Sequence, residues 1–178
     1  SSDNVFVGYD AGGGAWQNNA SNYNVAVGNY VMDYPLNNAS NNTVMGHNAL
    51  GGINSGNDNV CIGFGAMNGS GYPGEFIDDC VAIGSGALAG ALDSTDGADE
   101  ASGTVAIGKS ALAALTTGGN NLAVGYQAGL DITTGTANTI FGASAGSDFD
   151  TESGNTFIGT NSGSGAVTCN EVVCVGAT

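Results

Sequence analysis

The sequence predicts an all-β fold, a parallel β-solenoid of about ten coils, and three observations predict it. A phrase of Asn or a near substitute, three apolar or Thr residues, then Gly returns ten times along the 178 residues. Its closing glycines are Gly8, Gly28, Gly46, Gly63, Gly84, Gly108, Gly125, Gly142, Gly159 and Gly176, spaced 20, 18, 17, 21, 24, 17, 17, 17 and 17 residues apart. A period of about twenty residues with one strand-like phrase per copy is the mark of a solenoid. Nothing repeats at helical spacing, and the segments between phrases are rich in Gly, Ser, Thr, Asn and Asp, the residues of surface turns.

The elements follow in order. Coils start near Asn4, Asn24, Asn42, Asn59, Cys80, Thr104, Asn121, Asn138, Asn155 and Val172, within one repeat domain spanning 1–178. The β-branched residues after each start, such as Val5, Val25, Thr43 and Val60, predict strands of four or five residues. A second half-phrase, x-x-Ala-[Leu/Gly], follows each corner, as in His47-Asn48-Ala49-Leu50 and Tyr126-Gln127-Ala128-Gly129. Parallel strands stacked about 4.8 Å apart make a rod roughly 48 Å long. Asn4, Asn24, Asn42, Asn59, Asn121, Asn138 and Asn155 then form a column able to pass amide hydrogen bonds between coils. The glycine column permits a positive φ or close backbone approach where the coil bends.

Alternation along a strand puts the residues one and three before each Gly on one side, and the residue two before it on the other. The first side is apolar or Thr throughout. The second is apolar in all ten copies: Phe6, Ala26, Val44, Cys61, Ala82, Ala106, Ala123, Ile140, Phe157 and Cys174. A strand apolar on both faces needs a layer against each, and one coil encloses only one interior. The expectation is a homotrimer whose central seam is lined by Phe6, Ala26, Val44, Ala82, Ala106, Ala123, Ile140 and Phe157.

Charge narrows the partners. Lys109 is the only Lys or Arg, sixteen Asp and Glu give a net charge of -15, and His47 is the only histidine. Such a surface repels phosphate backbones and anionic lipid, so neither nucleic acid nor membrane insertion is expected. It suits salty or divalent-rich surroundings, where self-repulsion is screened. The four cysteines show no zinc-site spacing. Cys61–Cys80 and Cys169–Cys174 are plausible disulfides, which would place the protein outside the cytosol. The alternative is that all four are small buried apolar residues.

Candidate sites are sparse. With one His, one Lys and no Arg, and no nucleophile-elbow phrase in a strand-to-helix setting, the chain is not expected to be an enzyme. Asp78-Asp79 is the carboxylate pair that a glycan-cleaving spike would need, and solvated turn residues are the plainer reading. No cofactor is called for, with calcium the one candidate. Asp93, Asp96, Asp99 and Glu100 surround Gly97 in the longest loop, and Asp148, Asp150 and Glu152 share another. Trp16, Tyr34 and Tyr72 sit in loops where aromatic rings stack on sugars, making a cell-surface glycan or receptor a possible partner. Sequons occur at Asn19, Asn38, Asn41 and Asn68.

Val-Ala-Ile-Gly followed by x-x-Ala, at Val81 to Ala87 and Val105 to Ala111, resembles the head repeats of trimeric autotransporter adhesins. Asn-Asn-Leu-Ala-Val-Gly-Tyr-Gln-Ala, Asn120 to Ala128, is similar to tandem repeats of bacteriophage tail-fibre proteins. The resemblance runs from Asn4 to Ala177, although adhesin heads have shorter, more regular coils. It implies a left-handed roll, a homotrimer, and an extracellular place on a virion or cell surface. The expected role is a structural fibre or filament component, with self-association side by side, head to tail, or both. The other expected role is a receptor- or glycan-binding adhesin module.

Overall fold

A computed structural model describes residues 2–14, 20–52, 55–69, 77–90, 92, 101–165 and 170–177. The described residues contain ten strands of three residues each: β1 (Val5–Val7), β2 (Val25–Val27), β3 (Thr43–Met45), β4 (Val60–Ile62), β5 (Val81–Ile83), β6 (Val105–Ile107), β7 (Leu122–Val124), β8 (Thr139–Phe141), β9 (Thr156–Ile158) and β10 (Val173–Val175). They form one sheet in sequence order, every pair parallel and in phase, so that Ala82 lies opposite Ala106 and Ala106 opposite Ala123. The fold is an all-β parallel β-solenoid, and the described residues contain no helix.

The strands are shorter than the sequence suggests because the backbone is bent hard at both ends. The corner glycines have φ between 124° and 145°. The residue before each rung's Asn position is left-handed, at Asp3, Tyr23, Asn41, Asp58, Asp79, Asn120, Ala137 and Glu171. Left-handed residues recur two and four places after the corner, as at Ser110 and Leu112. Each such non-glycine residue costs on the order of 1 kcal/mol. The cost is offset by a backbone hydrogen bond to the adjacent rung, such as Ser110 N–H to Ser85 O and Leu112 N–H to Ala128 O.

The core is packed by compensation between the strand centre and the left-handed residue six positions later. Small Ala26, Ala82 and Ala106 accompany Met32, Leu88 and Leu112, while bulky Phe6 and Phe157 accompany Gly12 and Gly163. A Cβ added at Gly12 or Gly163 would run into those phenyl rings. Ala123 and Gly129 are both small, and Leu112, Ile132 and Ile140 converge on the space between them. Loops complete the interior with Leu36, Ile77, Leu92, Leu115 and Phe149, all buried.

Two columns of side-chain hydrogen bonds tie rung to rung. In the Asn column, each Oδ1 accepts from the backbone N–H at the same position of the next rung, as in Asn42 N–H to Asn24 Oδ1 (3.0 Å), Asn155 N–H to Asn138 Oδ1 (2.9 Å) and Val172 N–H to Asn155 Oδ1 (3.0 Å). The Nδ2 groups of Asn4, Asn24, Asn42, Asn59, Asn121 and Asn138 also donate to loop carbonyls, such as Gly56 O for Asn42 and Gly135 O for Asn121. The second column lies two residues earlier and runs in the opposite sense. There the N–H of one rung donates to the side chain of the next: Ser2 to Asn22, Asn22 to Ser40, Ser40 to Asn57, Asn57 to Asp78, and Asp78 to Ser102.

The expected Cys61–Cys80 disulfide is absent: both thiols are free and buried. Cys61 occupies the strand centre, opposite Ala82, and its Sγ lies 3.4 Å from Met67 Sδ. Cys80 takes an Asn-column position, where its N–H donates to Asn59 Oδ1. The two are offset by one rung of about 4.8 Å and two residues along the strand, roughly 7 Å, beyond the Cα separation a disulfide tolerates. Cys174 is half-buried, and Cys169 lies outside the described residues. Desolvation pushes the Cys61 thiol far above its usual value and raises Cys80 to about 11 from 9.0. A group that folding holds protonated supports the fold below its unfolded pKa and loses that support as pH climbs towards its folded one. Stability should therefore fall as pH rises from 9.0 through about 11. Denaturant titrations across that window check this, and Cys61→Ala/Cys80→Ala should flatten the slope.

Candidate interaction face

The strand centres face inward. Ala26, Val44, Ala82, Ala106, Ala123, Ile140 and Phe157 are buried within the single chain, and Phe6 is half-buried over Gly12. The seam expected along these residues is therefore corrected. They form the interior of the coil, because the small centres leave room for the left-handed residue six places on.

The other side of the sheet is the exposed one. Its two ranks, the first and third residue of every strand, include Val7 at 55% exposed, Met45 at 52% and Phe141 at 57%, with Val5, Val25, Ile62, Leu122, Ile158, Val173 and Val175 also exposed. Twenty positions in two ranks hold only Val, Ile, Leu, Met, Phe and Thr, with no charge on a chain whose net charge is -15. Monomeric proteins seldom leave so continuous an apolar stripe in water.

Exposed columns flank the stripe. On one side stand the left-handed residues before the Asn column, among them Asp3, Tyr23, Asp58, Asp79 and Glu171. On the other stand the residues after the corner glycines, among them Tyr9, His47, Phe64, Lys109 and Tyr126. Tyr9, Tyr30, His47 and Phe64 form a run of rings with centroids 5.4 to 5.5 Å apart, the first two contacts edge-on and His47 stacked on Phe64. Nearby, partial burial raises the Asp33 carboxyl above its usual value, with Asp10 adding to the rise.

Asp93, Asp96, Asp99 and Glu100 lie outside the described residues, as do Trp16 and Tyr72, while Tyr34 is half-buried. The carboxylates of the other acidic loop are engaged in holding it: Asp148 accepts from Gly165 N–H, Asp150 from the Thr133 hydroxyl, and Glu152 from the N–H groups of Asp150 and Thr151. No group of three metal-ligating side chains occurs among the described residues. Asp78 accepts from both nitrogens of Asn57 within the second column, whereas Asp79 is exposed on the flank, so the pair is split between two surroundings. The interior opens beside β10 into a cavity of about 580 Å³, lined by Phe149, Ser162, Val172, Cys174 and Val175 among others. No helix among the described residues is long and apolar enough to cross a membrane.

Sequence reasoning missed the second hydrogen-bonding column. Its signal was present as Ser2, Asn22, Ser40, Asn57, Asp78 and Ser102, each two places before a coil start. The outward direction of the flanking ranks carried no such mark. No family model matches this chain, no curated protein matches it, and no solved structure matches it.

Proposed function

We propose that this protein is a non-enzymatic structural component of an extracellular fibre, of the phage tail-fibre or microbial surface-appendage kind, built as a homotrimer of left-handed solenoids. The observation that carries the reading is the uncharged two-rank stripe along the outer face of the sheet. Burying it removes apolar surface from water at about 25 cal/mol per Å², and it is the neutral strip of an otherwise acidic rod. Side-chain sizes across it also compensate: Thr43 stands beside Met45, Thr139 beside Phe141 and Thr156 beside Ile158. Layers of similar total volume result when the first rank of one copy packs against the third-residue rank of its neighbour.

The test is particle mass. Sedimentation equilibrium should give three times the 17.3 kDa chain mass, and Met45→Glu/Phe141→Glu should dissociate it while leaving the circular dichroism of the fold intact. Wild-type protein that stays at the single-chain mass at high concentration overturns the proposal. Because each copy carries a net charge of -15, association should strengthen as salt rises and screens self-repulsion.

The exposed run of Tyr9, Tyr30, His47 and Phe64 favours a second reading, a glycan- or receptor-binding adhesin module. Glycan-array binding that disappears in Tyr9→Ala/Phe64→Ala, with particle mass unchanged, would support it.

A further inference from the structure

The two flanks of the apolar stripe differ in charge, and the difference sets how neighbouring copies meet. The flank before the Asn column carries Asp3, Asp58, Asp79 and Glu171, all exposed, and no basic residue. The flank after the corner glycines carries Lys109 and His47, both exposed, and no acidic residue. These are the only Lys and the only His in the chain, which has no Arg. Both basic side chains therefore stand in the rank that itself holds no carboxylate, with Asp10 and Asp33 behind it near His47.

We infer that the partner at this face is another copy of the chain, parallel and in rung register, with the acidic edge of one copy against the Lys109/His47 edge of the next. The inference rests on the fibre reading above and adds polarity and register to it. Lys109 belongs to the β6 rung, and Asp79 of a neighbouring copy is one rung away, on β5. His47 belongs to β3, and a neighbour's Asp58 is one rung away, on β4. One rung is about 4.8 Å, within the reach of a lysine side chain.

The antiparallel alternative fails twice. It sets acidic edge against acidic edge, bringing Asp3 towards a second copy's Glu171. It also sets Met45 against Phe141 and Thr43 against Thr139, so that a crowded layer and a hollow one replace two even ones. Charge pairs at an interface rim govern partner orientation more than raw affinity, and orientation is what the two edges determine.

Two variants test this in the full chain. Lys109→Glu should weaken association about fivefold, and Asp79→Lys added to it should restore association to about the wild-type level. On the β7 rung, Asn120 and Tyr126 stand on opposite flanks and are both exposed. In a Cys169→Ser/Cys174→Ser background, which leaves only the buried Cys61 and Cys80, the double variant Asn120→Cys/Tyr126→Cys should oxidise to reducible species at multiples of the chain mass, and the background protein alone should not. An oligomer that is indifferent to the charge reversal, or that leaves the cysteine pair reduced, overturns this arrangement and leaves the fibre reading standing. A monomeric wild type overturns both.

Discussion

Gly125→Ala should lower unfolding stability by more than about 4 kcal/mol, placing it among the most damaging single substitutions in the chain. Two separate costs combine at this corner. Its φ is +144°, in a region that side chains with a Cβ avoid, worth about 1–3 kcal/mol. A Cβ there would also run into the carbonyl of Gly142 on the next rung, 2.6 Å from its carbon. Backbone cannot swing aside as a side-chain tip does, so the rungs must separate and strand hydrogen bonds are lost. Two other glycines isolate the parts. At Gly176 φ is +139° and nothing lies within 4 Å of an added Cβ, so Gly176→Ala reports the backbone cost alone. At Gly65 φ is +59° with open space, so Gly65→Ala should cost only about 1 kcal/mol. Urea denaturation of the three variants checks the order. Hydrogen exchange should place the Gly125→Ala damage on the rungs around β7, since each repeat touches only its neighbours. A Gly125→Ala protein as stable as Gly65→Ala would mean that the corners do not stack this closely.

The same corner explains what was legible in the sequence. A glycine recurring where no other residue fits announces both the bend and the repeat, and the Asn column announces the parallel, in-phase stacking that its amides require. The direction of the strand faces was not legible. Alternation identifies an inside only when one set of residues is polar, and at Val81-Ala82-Ile83 both sets are apolar. Volume decides instead: Ala82 leaves room for Leu88, which is left-handed and buried, and Val81 and Ile83 are turned outward. That pairing at six residues has no counterpart among helix or strand periods, so a search for either period passes over it. The cysteines misled for a related reason. Adjacent rungs suggested contact between Cys61 and Cys80, but Cys80 stands at an Asn position, two residues out of step. The charge asymmetry of the stripe's edges became visible only once the residue before the Asn column and the residue after the corner glycine were both placed on the outer face.

Asn138→Ala should cost about 3–5 kcal/mol, because the amide serves Asn121 and Asn155, both sealed from water, and the half-buried Glu152 carbonyl. Its Oδ1 accepts from Asn155 N–H (2.9 Å) and Asn155 Nδ2 (3.1 Å), while its Nδ2 donates to Asn121 Oδ1 (3.0 Å) and Glu152 O (2.9 Å). Asn121, Asn138 and Asn155 are each 1% exposed, so the orphaned groups pay their desolvation in full. The chain already carries a weaker version of this change at Thr104, where Asn121 N–H reaches the hydroxyl at 3.4 Å and Thr104 supplies no amide donor. Asn138→Thr should therefore cost less than Asn138→Ala, and by thermal denaturation the two should separate by about 1 kcal/mol. Asn138→Asp is the sharper probe. It keeps the shape and the acceptor for Asn155 but turns a second oxygen towards Asn121 Oδ1 and Glu152 O, both of them acceptors. Ionisation at that buried position is unfavourable, so the folded state holds the proton more tightly than the unfolded chain. The variant should gain stability as pH falls towards about 4, where the protonated carboxyl can donate again, and lose it as pH rises to 7. An Asn138→Asp protein with the same relative stability at both pH values would show that residue 138 does not face the neighbouring rung's oxygens.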